Sequence, residues 1–258
     1  MTERPRDDSG KKHELDDIER IASRVPGWLS RLEGELLYSL ALGAPAHGCI
    51  VEIGSWQGKS TIWLAAGARS GRGARVIAVD PHRDTRFHAD GEDTEVALRK
   101  NLAAAGLSHQ IDVVVATSER AVEGWKQPIS LLWIDGDHEY ESVKRDFLLW
   151  EKHVVEGGMV ALHDTLYWEG PARVVSEFLQ PLRRYSDLSF VDTITFATKR
   201  QDPTLAQLLS KRKAILHRHV YAVRAAAAPD PFHVATLFDG LARLRRIRVP
   251  LRWRSPDR

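Results

Sequence analysis

At 258 residues, with 43% hydrophobic and 28% charged side chains, the chain can bury a sizeable core and is most simply one domain with appended segments. No apolar run approaches the ~20 residues of a membrane-spanning helix, and the opening "MTERPRDDSGKKHELDD" is too polar for a signal peptide, so a cytoplasmic protein is expected. The net charge of +2 conceals a split: residues 199–258 carry 14 Lys and Arg against 4 Asp and Glu, a surplus of +10, and the rest of the chain carries 23 against 31, or −8.

In chain order, residues 1 to about 14 are polar and read as disordered. "LDDIERIASRVPGWLSRLEGELLYSLAL" then has helical periodicity broken at Pro26, which predicts two helices. From Cys49 onward, short β-branched runs alternate with helical stretches. The strands are "CIVEIG" (49–54), "RVIAVD" (75–80), "IDVVVA" (111–116), "ISLLWIDG" (129–136) and "MVALHD" (159–164), with helices near 59–68, 93–105, 119–125 and 142–155 between them. Apolar strands separated by helices imply an α/β fold with a parallel sheet covered on both faces. The stretch "DLSFVDTITFATK" (187–199) has no long helix inside it and reads as a closing strand pair, partly antiparallel. Cys49 is the single cysteine; it excludes an internal disulfide or a CxxC metal site and reads as a small core residue.

In the basic tail, Leu205, Leu208, Leu209, Ile215, Leu216, Val220 and Val223 follow helical spacing. They predict an amphipathic helix packed on the body or on a second subunit of a homodimer or higher homo-oligomer. Nucleic-acid binding is the weaker reading, because the tail's few aromatics are scattered.

Four of the five strands end in a charged or glycine-containing motif, "EIGSWQG", "VDPH", "IDGDH" and "HDT", at the strand ends where such sheets bind ligands. The loop "GSWQGKS" looks at first like a phosphate loop. That motif needs four residues between its first Gly and the Gly-Lys-Ser, and only Ser55, Trp56 and Gln57 stand here. A dinucleotide fingerprint is also missing, since Gly54 and Gly58 lie four apart. What remains is an acid-headed loop, Glu52, Gly54, Gly58 and Ser60, followed by Asp80 one strand later. Glu52 can balance a cationic ligand and Asp80 can take both hydroxyls of a ribose. A cation attached to a ribose describes S-adenosylmethionine.

Together, "VEIGSWQGKSTIWLA", "VIAVDPH", "LLWIDGDHEYESVKRDFLLW" and "VEGGMVALHDT" resemble the class I S-adenosylmethionine-dependent methyltransferases. The resemblance is to the branch holding metal-dependent sugar O-methyltransferases of macrolide and mycobacterial polysaccharide pathways and the cephalosporin hydroxylase-like proteins. It covers about residues 25–198, leaving a polar segment, 1–24, and the basic extension, 199–258, outside. It implies a Rossmann-like fold with a mostly parallel seven-stranded sheet. It also implies that Gly54 and Ser55 line the methionine part of the cofactor, with Glu52, Ser60 and Asp135 in the same site. Asp80 would hold the ribose hydroxyls with Pro81 and His82 beside it, and Ser118 would lie at the adenine.

The family's metal is held by the first Asp of "IDGDH" and by an acidic pair after the next strand, which maps to Asp135 and Asp164. Here the first member of that pair is His163. Two carboxylates suit Mg2+; imidazole suits Mn2+, Fe2+ or Zn2+ better. His163 therefore shifts the metal preference, supports the ligands from behind or weakens the site. His138 occupies the position of the family's catalytic His and is the candidate general base, with Asp135 and His163 as alternatives. Tyr167 and Trp168 read equally as a stacking surface for a sugar ring or as core. "HRDTRFHADGEDTE" (82–95) occupies the position of a lid.

The expected function is methylation of a sugar hydroxyl, such as one on a mycobacterial-type methylated mannose chain, with S-adenosylmethionine and a divalent cation, Mg2+ by preference. The competing expectations are a catechol or antibiotic-intermediate acceptor and a non-catalytic cofactor-binding module. A nucleic-acid methyltransferase would want an Asn/Asp-Pro-Pro-Tyr type of base-handling motif, which the sequence lacks.

Overall fold

The computed structural model describes residues 8–82, 93–181 and 184–226. Two helices precede the sheet, α1 (Asp8–Ala22) and α2 (Arg31–Leu42), separated by the turn at Pro26. Helix α1 begins at Asp8, earlier than the polar composition suggested. Its apolar positions Ile18 and Ala22 are buried in the core, and that packing offsets the weak local propensity of its first turns.

Strands β1 (Cys49–Ile53), β2 (Val76–Asp80), β3 (Ile111–Val115), β4 (Ile129–Ile134) and β5 (Val154–Leu162) pair in parallel. The connecting helices are α3 (Lys59–Ser70), α4 (Thr94–Ala104), α5 (Ser118–Ala121) and α6 (Tyr140–Trp150). After β5 come α7 (Glu169–Val174), a π-helical turn (Val175–Leu179), and the antiparallel strands β6 (Tyr185–Val191) and β7 (Ile194–Lys199). The seven strands lie in the order β3-β2-β1-β4-β5-β7-β6. The sequence expectation of a mostly parallel, Rossmann-like seven-stranded sheet with a closing antiparallel pair is therefore met.

Three elements differ from their expected spans. Helix α5 is a single turn. Helix α6 stops at Trp150, and β5 starts at Val154, because the β-branched pair Val154 and Val155 extends the chain before the bulge that the β4–β5 register absorbs between Ile129 and Leu131. Helix α7 had no counterpart in the sequence reading.

Alternate residues of each strand face opposite sides. Ile50, Ala78, Leu131 and Trp133 pack with α1 to α4 on one face, while Val51, Val79, Leu132 and Ile134 pack with Phe147, Trp150 and Leu179 on the other. Helices α2 and α3 meet at backbone distance: a Cβ on Gly67 would sit 2.2 Å from Tyr38 O.

The last described element is α8 (Leu205–Ala226), the helix expected in the basic tail. It lies along β6, where Lys211 Nζ donates to Tyr185 O at 2.8 Å. Its apolar residues do not all pack inward as expected. Leu208 and Ile215 are half-buried, whereas Leu205, Leu209, Leu216 and Val220 are 73, 56, 63 and 46% exposed. The side chain of Val223, the expected lid over 83–92 and the sequence beyond 226 lie outside the described residues. Among the described residues no helix is long and apolar enough to cross a membrane.

Candidate active site

The sheet register builds the site. Val79 pairs with Ile53, Ile53 with Ile134, and Ile134 with Leu162. The next residues along the four strands, Asp80, Gly54, Asp135 and His163, therefore stand together at the carboxyl edge, beside the point where the strand order reverses. Gly54 has φ +89°, and a Cβ there would lie 2.2 Å from Asp135 O, so only glycine lets β1 turn this close to β4.

A cavity of about 450 Å³ opens at this edge, within the usual range for small-molecule sites. Of the residues singled out in the sequence, Gly54, Ser55, Ser60, Asp80 and Ser118 line it at one end, and Asp135, His138, His163 and Asp164 at the other. Glu52 and His82 do not. Glu52 is fully buried and accepts hydrogen bonds from Ser60 Oγ (2.5 Å) and Thr61 Oγ1 (2.6 Å), which ties β1 to the first turn of α3. Burial pushes its carboxyl up to about 8, so it is a poor counter-charge for a cationic ligand at neutral pH. His82, at φ +51°, is buried behind Asp80 with Nδ1 2.9 Å from Thr94 Oγ1, and burial lowers its pKa.

Asp80 is held in place by two backbone donors. Its Oδ2 accepts from Trp56 N–H and its Oδ1 from His82 N–H, both at 2.8 Å, and each carboxylate oxygen keeps acceptor capacity beyond that bond. Ser55 Oγ and Trp56 Nε1 are buried with no partner among the described residues. Ser118 Oγ accepts from Trp150 Nε1 at 2.8 Å, which leaves its own O–H to donate elsewhere.

At the other end, His163 sits among three carboxylates: Nδ1 is 3.0 Å from Asp135 Oδ1 and 3.3 Å from Asp164 Oδ2, and Nε2 is 3.5 Å from Glu33 Oε2. Burial alone would lower its pKa, but Asp135 and its acidic neighbours hold it well above the ordinary value. The ring therefore has carboxylates facing both of its nitrogens. The sequence expectation names Asp135, His163 and Asp164 as the ligand set. Asp135, His138 and Asp164 are the residues whose ligand atoms all lie within 4.8 Å of one another, and His163 braces the two carboxylates from behind. Burial pushes the Asp164 carboxyl up, but hydrogen bonds from His138 and His163 outweigh it and hold the group below the usual carboxylate range.

His138 Nε2 is 2.8 Å from Asp164 Oδ2, and its ring stacks on Trp168 with centroids 4.4 Å apart at 24°. Gly170 permits this arrangement, since a Cβ there would lie 2.1 Å from His138 O. Trp168 and Tyr167 are 46 and 44% exposed, so they are not core.

Three contributors were not found in the sequence. Glu33, on α2, is 3% exposed and lies 3.5 Å from His163. The turn 26–29 forms one wall, with the 67% exposed Trp28 stacked on Trp56 at 5.4 Å and Lys59 Nζ donating to Gly27 O. Asp146 lines the end near Ser118, and burial pushes it up to about 6. Asp146 could have been found as the one acid on the otherwise apolar buried face of α6, with Val143, Phe147 and Trp150.

Residues 51–165 match a family model described as a methyltransferase domain. The curated catechol O-methyltransferase of Mycobacterium tuberculosis is 31% identical over 139 residues, 54% of this chain, and the match spans 56% of that relative's length. Among solved structures, an O-methyltransferase from Bacillus cereus in complex with SAH is 19% identical with a TM-score of 0.51, over 72% of this chain and 91% of that one. The O-methyltransferase TomG from Streptomyces achromogenes, involved in tomaymycin synthesis and solved with SAM, is 19% identical with a TM-score of 0.52, over 72% and 89%. With its strand order and acid-ended strands, and with its likeness to these solved structures, the chain has a Rossmann-like fold, the one found in the class I methyltransferases.

Proposed function

We propose that this protein is an S-adenosylmethionine-dependent O-methyltransferase that acts on a sugar hydroxyl with the help of a divalent cation. The observation that carries the reading is the meeting, at one end of one sheet, of the Asp80 cradle and the Asp135, His138 and Asp164 cluster. The residues suit both groups. Ser55 Oγ is a buried polar atom facing the cavity without a protein partner, and Asp80 offers a carboxylate to a vicinal pair of hydroxyls. Asp135 and Asp164 bring carboxylate oxygens within 4.8 Å of each other, a hard donor set for such a cation.

When bound, the cofactor supplies a methyl on a sulfonium and the cation acidifies and orients an acceptor hydroxyl. Every other step belongs to side chains of this chain. With Nε2–H donating to Asp164, His138 takes the hydroxyl proton at its other ring nitrogen, Nδ1, and Asp164 stabilises the imidazolium that results. Trp168 fixes the His138 ring and offers its exposed face to a sugar. Glu33 and His163 hold Asp135 and Asp164 in place.

A catechol acceptor is the second reading, favoured by the curated relative. Labelled methyl transfer to oligosaccharides and to catechols, with and without EDTA, tests both. Transfer to oligosaccharides that stops with EDTA and in Asp135→Asn supports the proposal. Transfer that persists in EDTA removes the cation, and transfer to catechols alone replaces the acceptor.

A further inference from the structure

Helix α8 packs Ala214, Ile215 and Tyr221 toward the sheet, yet carries a second apolar stripe on its outer side. At about 100° per residue, Leu205, Leu209, Leu216 and Val220 fall within one wedge roughly 60° wide, and this wedge faces outward. The side turned to the sheet carries charge: Lys211 is 3% exposed, and Arg218, 7% exposed, donates through Nε to Thr195 Oγ1 at 3.1 Å and through its guanidinium to Thr165 O. Exposed Arg212, Lys213, His217 and His219 lie in and beside the outward leucine stripe. Helix α8 contains five Lys and Arg and no Asp or Glu.

We infer that the outward face of α8 docks the protein on an anionic lipid surface. Aliphatic side chains flanked by cations on one helix face match a bilayer interface, where the leucines enter the acyl boundary and the cations meet headgroup phosphates. A nucleic acid would use the charge but leave Leu205, Leu209 and Leu216 in water. A second copy would cover the leucines but would set Arg212 and Lys213 against cations with no acid on α8 to pair them. The inference does not depend on the reaction catalysed.

The test is co-sedimentation of the full chain with phosphatidylcholine vesicles, with or without roughly one-third phosphatidylglycerol, at low and high salt. Expected are binding to the anionic vesicles alone, weakening with salt, and an affinity at least about tenfold lower in Leu209→Glu/Leu216→Glu and in Arg212→Glu/Lys213→Glu. Both variants should melt with the wild type, since all four positions are exposed. The idea is overturned if the leucine variant binds anionic vesicles as well as wild type. It is equally overturned if that variant melts several degrees lower, which would mean that another part of the chain covers the stripe. Dissociation of a wild-type dimer by the leucine substitutions, or tighter binding to duplex RNA than to vesicles, would assign the face to another partner.

Discussion

Glu33→Ala should be among the most damaging single substitutions outside the sheet, although Glu33 lies on an early helix far in sequence from the strand ends. Its Oε2 accepts from Ser30 N–H at 2.9 Å, completing a capping box with the Ser30 hydroxyl on Glu33 N–H. Its Oε1 accepts from Thr193 N–H at 3.0 Å and Thr193 Oγ1 at 2.6 Å, and Oε2 faces His163. Losing the cap costs about 1 kcal/mol, and stranding the Thr193 donors about 1–2 kcal/mol more. His163 retains Asp135 and Asp164, so its share falls below the 3–5 kcal/mol typical of a broken buried pair and is roughly 1–2 kcal/mol. The sum is about 3–5 kcal/mol, or about 10 °C in melting temperature for a domain of this size. Urea denaturation of Glu33→Ala, with Glu35→Ala as control, measures it. Glu35 makes only an exposed pair with Arg31, worth about 0.5 kcal/mol or less.

The pH dependence has a definite sign. Burial raises the Glu33 pKa, but the His163 and Thr193 hydrogen bonds outweigh burial and leave it lowered. The stabilisation is therefore present above the unfolded value of about 4.3 and is lost as pH falls, so the deficit of Glu33→Ala should shrink in acid. A Glu33→Ala variant within about 1 kcal/mol of wild type at pH 7 would refute the reasoning.

Gly54→Ala should abolish SAH binding in calorimetry, because the new Cβ collides with Asp135 O and φ +89° strains any other residue; unchanged affinity would show that the β1 turn is more plastic than described. Glu52→Gln should flatten the pH profile of stability. The Glu52 carboxyl is raised by burial to about 8, so wild-type stability is full below about pH 4 and declines as pH rises through the folded value; equal slopes for the two proteins would contradict this. Arg218→Met should lower methyl transfer roughly tenfold while leaving SAH affinity intact, since Arg218 grips Thr165 beside Asp164, with partial recovery in Arg218→Lys. A loss of SAH binding in Arg218→Met would place its effect on the cofactor side instead.

The strands and the glycine turn were legible because β-branched runs ending in acids are local signals, and the register then aligned Asp80, Gly54, Asp135 and His163 without further information. The burial of Glu52 follows from the strand rather than from its place at the head of the loop. Strand parity puts it on the face of Ile50 and Ala78, toward the hydroxyls of α3. Ser30 and Glu33 carry a visible capping-box spacing, but nothing local announces that Glu33 also meets a histidine 130 positions later. The outward leucines of α8 were not foreseen because periodicity reveals that apolar residues share a side, not which side the protein will cover. For His163, the neighbours Asp135 and Asp164 were in view from the sequence, and the third acid beside it, Glu33, was not.

The Glu33 bridge also bears on where this protein could be cut. The recognisable span, 51–165, ends one residue after the site's last acid, yet the clamp on that site comes from Glu33 upstream and Thr193 downstream. Transplanting that span alone would strip the cover Tyr38 gives Gly67, remove the antiparallel partner of β5, and leave His163 with one acid fewer. What a family model recognises as inherited is here shorter than what must travel together for the strand ends to keep their shape.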